Sequence, residues 1–454
     1  MLKIYNTLTR TIEEFKPISP PGVGIYSCGP TVYDYQHIGH MRRYVGDDIL
    51  IRVLQYNGFA VHHVMNITDV GHLTSDSDTG EDKMEKGAKK FGKSVWDIAK
   101  MFEQQFKDSC QELNIQLPKD LMHATSFIKE QIVLIQTLEE KGYTYKTGDG
   151  IYFATSKFPD YFKLSRQNPK ELKVGARVDF VEGKKNVTDF ALWKFSPKNE
   201  KRQMEWESPW GTGFPGWHIE CSAMSMKALG DTFDIHTGGI DHINIHHTNE
   251  IAQSEAATGK PFVKYWVHHA FLMVNEEKMS KSLENIYTVQ DIVEKGYDPL
   301  SLRYLYLQTH YRQEMNFTFE ALSAAQNALE RLRREISVFE RSFSEGIKEY
   351  EEKFLDAIND DLNMPKALSI LWEVMRSGNS NSLKAGTVFK FDEVLGLSLR
   401  NSKPIIEANE KEMPEEVKQM LKEREKLRKE KKYQEADKIR NKIIEMGYKV
   451  EDKE

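Results

Sequence analysis

Apolar positions change their spacing several times along this chain, and each change marks a different kind of element. Near the start, "GIYSCG" is a short β-branched and aromatic run ending at Cys28, Gly29 and Pro30, which reads as a strand closed by a turn. The text "YVGDDILIRVLQYNGFAVHHVMNITD" then predicts a helix, a stop at Gly58 and a second strand. Strand, helix and strand in that order imply a parallel sheet with a right-handed crossover, whose ligands collect at the carboxyl ends of the strands. From about 116 to 205 the texture differs. A helical pattern in "TSFIKEQIVLIQTLEEKG", aromatic strands in "YTYKTGDGIYFAT" and a polar, Lys-rich passage read as an insertion. The βαβ texture resumes at "FDIHTGG" and continues through "VKYWVHHAFLMV" to about 310. Beyond it, Leu322, Ala325, Leu329, Leu332, Ile336 and Phe339 recur by threes and fours, as the seam of a bundle helix does. A second helix is expected after Pro365, loop signals in "RSGNSNSLKAGT", and another helix from Pro414.

The expected organisation is therefore an α/β domain over 1–310 with an insertion at about 116–205. A helical bundle over 311–405 and a small basic helical element over 406–454 would follow. At 454 residues, 39% hydrophobic and 29% charged, the composition is that of a multi-domain globular protein. No apolar run approaches bilayer length and no secretory signal is visible, so a cytoplasmic location and no membrane partner are expected. Three scattered cysteines, Cys28, Cys110 and Cys221, are too few for a disulfide framework. The net charge of -6 conceals a segment from Lys418 to Lys449 that is richer in Lys and Arg than in acids. That segment is either a nucleic-acid contact or a solvated helix with i,i+4 pairs.

Several residues could carry chemistry. His246 and Glu250 lie four apart in a helical pattern, a spacing that suits a shared metal ion although such a pair is more often a surface one. With Cys28 and Cys221 they would make a ligand set that zinc accepts, although a free cysteine is more often a small buried hydrophobe, the role left to Cys110. "TVYDYQHIGHMRRY" places His37 and His40 in the first strand-to-helix loop, as metal ligands, core histidines or ligand contacts. "EEKMSKSLEN" sets Lys278 and Lys281 three apart with serines interleaved, where cations can follow a polyphosphate. Histidines in the first loop and lysines after the last strand would place phosphate-binding groups at both ends of the sheet's crevice. In "HTGGID", Asp241 is either an acceptor for ribose hydroxyls or a turn residue; Gly239 would allow close backbone approach, and His236 fits core or site.

In their order along the chain, "YSCGPTVYDYQHIGHMRR", "NITDVGH", "DFALWKF", "ESPWGTGFPGWHIECSAM", "DIHTGG", "HHTNEIAQSEA", "KMSKS" and "NDDLNMPKAL" closely resemble the cysteinyl-tRNA synthetases, a family of class I aminoacyl-tRNA synthetases. The resemblance covers nearly the whole chain. It implies a Rossmann-type catalytic domain with a connective insertion, a helical bundle and a C-terminal anticodon-binding element. It implies one zinc ion held by Cys28, Cys221, His246 and Glu250. His37, His40, Lys278 and Lys281 would bind ATP and stabilise its α-phosphorus transition state, while Gly29, Thr68, Trp217 and His236 would line the amino-acid pocket. The partners implied are L-cysteine, ATP with Mg2+ and tRNA(Cys), and the expected state is a monomer. Given a complete ligand set elsewhere, His37 and His40 are better read as phosphate partners at a helix N-terminus. Zinc would favour thiolate over the near-isosteric serine hydroxyl, which shape alone separates poorly.

The chain departs from the family's usual text in places. "TDVGHLTSDSDTGEDKM" stands where many members read a compact "TDIDDKI", adding His72 in an extended loop over 69–84. "HTGGIDHINIHHTNE" and "KSLEN" replace the commoner "HGGGSDLMFPHHENE" and "KSLGN", and the chain stops at "GYKVEDKE", earlier than many relatives. Two alternatives remain: a mycothiol-type ligase joining cysteine to an amino sugar, and a non-catalytic zinc and RNA-binding relative.

Overall fold

The computed structural model describes residues 1–71, 82–119, 121–168, 183–197, 202–279, 285–339, 345–401 and 414–429, with scattered positions from 432 to 448. An antiparallel hairpin of β1 (Lys3–Asn6) and β2 (Thr11–Glu14) precedes β3 (Gly22–Ser27), which leads into α1 (Ile38–Tyr56) and β4 (Ala60–Ile67). Two helices, α2 (Lys83–Phe91) and α3 (Val95–Glu112), then return the chain to β5 (Leu121–His123). After α4 (Ile128–Glu140), the strands β6 (Thr144–Lys146), β7 (Gly150–Phe153), β8 (Phe190–Phe195) and β9 (Gly213–Pro215) form an antiparallel sheet. Next come α5 (Trp217–Leu229), β10 (Phe233–Gly239), α6 (His246–Thr258) and β11 (Val263–His269).

The main sheet runs β11-β10-β3-β4-β5 with every pair parallel. From β3 the chain proceeds outward to one side, and from β10 to the other. Between these two adjacent strands lies the switch point, where such sheets open a crevice at their carboxyl ends. The expected insertion is displaced toward the C-terminus. β5 pairs with β4 and is the edge of the parallel sheet, while the antiparallel sheet extends to Pro215, beyond 205. Strands of three residues are too short to show a two-residue period, which is why neither boundary was legible.

A small sheet follows, in which β12 (Leu272–Val274) pairs with β13 (Glu277–Lys278) and β14 (Met315–Phe317). Between them lie α7 (Val289–Glu294) and α8 (Pro299–Leu307). The helical part comprises α9 (Phe319–Ser337), α10 (Lys348–Asn359), α11 (Met364–Arg376), α12 (Asn381–Leu395) and α13 (Glu415–Lys429). Leu322, Ala325, Leu329, Leu332 and Ile336 form the buried face of α9, with Phe339 just beyond it, as their spacing predicted. Because β14 joins β12, the helical run begins at Phe319 rather than 311, and the last seven residues of "RSGNSNSLKAGT" are the first turns of α12. No helix among the described residues is long and apolar enough to cross a membrane.

α1 is buried on most sides, so its polar residues need protein partners. Arg42 donates to the carbonyls of Ala270, Phe271, His310 and Gln313. Asp48 accepts from Arg52 Nε at 2.7 Å and from Arg303 Nη2 at 2.6 Å, while Arg303 Nε donates to Leu395 O at 2.7 Å. The helix that begins at the histidine pair is thereby tied to α8 and α12.

Candidate active site and metal centre

The strand ends converge on one cleft of about 950 Å³ at the switch point, lined by residues that follow β3, β4, β10 and β11 and by the first turns of α1. Of the expected site residues, Cys28, Gly29, His37, His40, Thr68, Trp217, Cys221, Gly239, Asp241 and His246 line it. Gly29 passes so close to β4 that a Cβ there would collide with the Asn66 carbonyl, and its N–H donates to Asn66 Oδ1 at 2.7 Å. Asn66 Nδ2 in turn donates to Thr68 Oγ1 at 3.0 Å, and Thr68 donates to Glu220 Oε2 at 3.3 Å.

On one side of the cleft floor, donor atoms of Cys28, Cys221, His246 and Glu250 lie within 4.8 Å of one another, all buried. His246 and Glu250 share one face of α6, so Glu250 Oε1 sits 3.0 Å from His246 Nε2, off the axis of a hydrogen bond. Tetrahedral zinc sites space their ligand atoms by roughly 3.3–3.8 Å, so this donor set fits that ion. The electrostatics agree, since a buried cluster of thiols and a carboxylate calls for positive charge. Burial disfavours ionised Glu250, yet His236 and His246 outweigh it and hold its carboxyl at about 2. Burial likewise opposes His246 protonation, but Glu250 and Cys28 raise it to about 10. The Cys28 thiol falls well below its ordinary value: burial pushes up, and the Cys221 hydrogen bond and neighbouring histidines push further down. Cys221 moves the opposite way, because its hydrogen bond to Cys28 and its burial both keep its proton on.

Around this cluster stand residues that the sequence reading did not single out. His218 Nδ1 lies 2.9 Å from His246 Nδ1, which leaves His246 Nε2 for the cluster. His247 Nε2 is 3.3 Å from Cys28 Sγ, and its Nδ1 is 2.7 Å from His268 Nε2. A second, overlapping group of donors, Cys28, His236, His247 and Glu250, shares the same pocket of protein. His236, expected to line the amino-acid pocket, instead sits fully buried behind it, with Nε2 3.0 Å from Glu250 Oε2 and its ring stacked on Trp266. Trp217 stacks on His246 with ring centroids 4.4 Å apart. The only advance signal for His218 and His247 was their adjacency to Trp217 and His246.

At the other end of the cleft, His37 is the N-cap of α1. Its Nδ1 accepts from the N–H groups of Gly39 at 3.2 Å and His40 at 3.3 Å, while His40 Nδ1 accepts from His37 N at 3.4 Å. The two rings stack at 3.5 Å. Burial lowers His37 to about 4 and His40 well below its ordinary value, so both are neutral. A neutral ring whose Nδ1 accepts carries its proton on Nε2, and both histidines therefore present N–H donors there. Asp241 lies at the exposed mouth, after Gly239. Lys278 is the second residue of β13, opposite Met273. Lys281 and His72, with most of the 69–84 loop, lie outside the described residues.

The chain as a whole matches known proteins in sequence and in fold. Fold alone places the chain beside the Mycobacterium tuberculosis methionyl-tRNA synthetase in complex with methionyl-adenylate: TM-score 0.57, 16% identity, 83% of this chain and 90% of that one. An Agrobacterium radiobacter LeuRS–tRNA–LeuAMS ternary complex gives a TM-score of 0.60 at 12% identity, covering 86% of each chain. The model for the class I (C) tRNA synthetase catalytic domain matches residues 14–327, a DALR domain matches 353–399 and the cysteinyl-tRNA ligase anticodon binding domain matches 410–454. Those matches set the class as a class I aminoacyl-tRNA synthetase. Cysteine–tRNA ligase 1 of Burkholderia lata is 49% identical over 452 residues, covering 99% of this chain and 95% of the relative. The cysteine–tRNA ligase of Treponema denticola is 43% identical, covering 99% and 98%. The chain belongs to the cysteine–tRNA ligase family and is an enzyme of that ligase class.

Proposed function

We propose that this chain activates L-cysteine with Mg2+-ATP to cysteinyl-adenylate and pyrophosphate, then transfers the cysteinyl group to the 3' end of tRNA(Cys). The observation that carries the proposal is a single cleft with a buried thiol, imidazole and carboxylate cluster at one end and a neutral histidine pair at the other. The substrate carboxylate is already a nucleophile, so the protein's task is to position it and to stabilise charge on the phosphate. His37 and His40 do so as Nε2–H donors, with Lys281, and with Lys278 assisting. Gly239 and Asp241 hold the nucleoside at the cleft mouth; Gly29, Thr68 and Trp217 shape the amino-acid pocket, and His236 supports it through Glu250.

Cys28, Cys221, His246 and Glu250 would hold zinc, because three of them face the cleft, whereas His236 and His247 of the overlapping set do not. Bound there, zinc supplies a soft Lewis acid that takes the cysteine thiolate in preference to the serine hydroxyl. Residues 1–318, 319–405 and 406–454 would serve as catalytic, bundle and anticodon-binding parts of a monomer working in the cytoplasm. Zinc determination coupled to cysteine-dependent ATP–pyrophosphate exchange tests the reading. Stoichiometric zinc with exchange that requires cysteine and ignores serine is expected. A metal-stripped protein that still activates cysteine and still rejects serine would overturn zinc selection, and absence of exchange would overturn the function.

A further inference from the structure

One charged group in the cleft has no part in the scheme above. Arg43 lies on α1 one turn beyond His40 and lines the same cavity. Its side chain is 11% exposed, its guanidinium packs 3.9 Å from the centre of the Tyr44 ring, and Nη1 donates to Asp47 Oδ2 at 3.2 Å. The other oxygen of Asp47 accepts from His269 Nε2 at 2.9 Å, and His269 ends β11. A Cβ on Gly46 would strike the His269 imidazole, so the ring rests directly on the helix backbone where only glycine lets it. Burial alone would neutralise Asp47, but the hydrogen bond from His269 and the Arg43 charge keep it ionised. His269, Asp47 and Arg43 form a braced chain from the sheet edge to the cleft wall. A guanidinium has five N–H donors; the Asp47 carboxylate takes one of them, and the Tyr44 ring lies against the guanidinium.

The position of Arg43 indicates its ligand. It lines the one cleft whose wall carries His40 toward one end and Cys28 toward the other. In cysteine the carboxylate lies only a few bonds from the sulfur. A substrate with its sulfur at Cys28 must therefore bring that carboxylate into the interval before the histidine pair. Two anions, carboxylate and α-phosphate, must meet there, which a fixed planar cation makes feasible.

We propose that Arg43 binds the α-carboxylate of the amino-acid substrate and steers it toward the α-phosphorus, with Asp47 and His269 as positioning residues. The inference rests on the cysteine-activation reading and deepens it. The test measures binding of L-cysteine and of cysteamine, which lacks the carboxylate, by calorimetry on the zinc-loaded full chain, with exchange assays alongside. Arg43→Gln, which keeps most of the stem, should weaken L-cysteine about 10- to 100-fold, the loss expected for a charge-assisted hydrogen bond. Cysteamine should change by no more than about twofold, as an independent contact would. Arg43→Lys should recover part of the loss, and Asp47→Asn should weaken L-cysteine while sparing cysteamine. Equal losses for both ligands in Arg43→Gln, or none for either, would overturn the proposal; should that variant unfold, the same comparison in Arg43→Lys decides. Wild-type protein without cysteine-dependent exchange would instead sink the underlying reading.

Discussion

Replacing His218 by Phe isolates one hydrogen bond beneath the proposed metal centre. His218 and His246 are each 2% exposed, so water cannot stand in for a lost partner. Phe retains the ring that packs edge-on against Phe190 at 5.4 Å and beside Trp217 at 5.4 Å. It removes the nitrogen 2.9 Å from His246 Nδ1. A neutral His246 that ligates through Nε2 must carry its proton on Nδ1, and in the variant that buried N–H has no acceptor. Leaving a buried donor unmatched costs about 1–3 kcal/mol, and loss of such outer partners lowers metal affinity about 10- to 100-fold. Competition with a chromogenic chelator reads that affinity directly, and circular dichroism guards against unfolding. His218→Gln, which restores an acceptor, should recover part of the loss. Zinc affinity in folded His218→Phe equal to that of the wild type would refute the assignment of His246 Nε2 to the metal.

Three further outcomes are expected. In His37→Asn the amide can still cap α1, because Asn is among the best N-caps, but the Nε2–H donor is gone. Exchange activity should fall by about 100-fold or more with the melting temperature little changed, and an unaltered rate would exclude His37 from phosphate stabilisation. Burial holds His63 at about 4, so the unfolded chain binds this proton more tightly. Its contribution is complete above about pH 6.5 and is lost as pH falls toward 4. Urea midpoints should therefore drop less on acidification in His63→Gln than in the wild type, and parallel drops would contradict the shift. Arg303→Met removes one partner of the fully buried Asp48. Breaking a buried pair in this way costs about 3–5 kcal/mol, toward the lower end here because Arg52 remains, and a denaturation midpoint equal to the wild type would refute it.

Local information in the sequence reached some features and not others. His246 and Glu250 were legible as a pair because helix spacing alone puts i and i+4 on one face. The α9 seam was legible for the same reason. Helix α10, between the expected bundle helices, was not singled out, because half of its text "KEYEEKFLDAIN" is charged and it buries only Phe354, Ala357, Ile358 and Asn359. Arg43 and Asp47 were not singled out, because an i,i+4 pair of opposite charges gives no local sign of a site until β11 delivers His269 to the same carboxylate.

By itself the chain determined its family text and its helical seams, both set within a few residues; α1 starts at Ile38, before the expected Tyr44, and residues 28–31 run on beside the end of β4 rather than turning. Only the tertiary structure decided what meets across the sheet. The order β11-β10-β3-β4-β5 brings the residues after β3, Cys28 above all, beside those of α5 and α6. His236 lies behind the cleft, where its place in β10 between Tyr26 and Trp266 sets it against the second oxygen of Glu250. Strand order and the pairing of buried polar groups are settled by global packing, in which a side chain's neighbours lie hundreds of residues away along the chain. No periodicity within one segment carries that information.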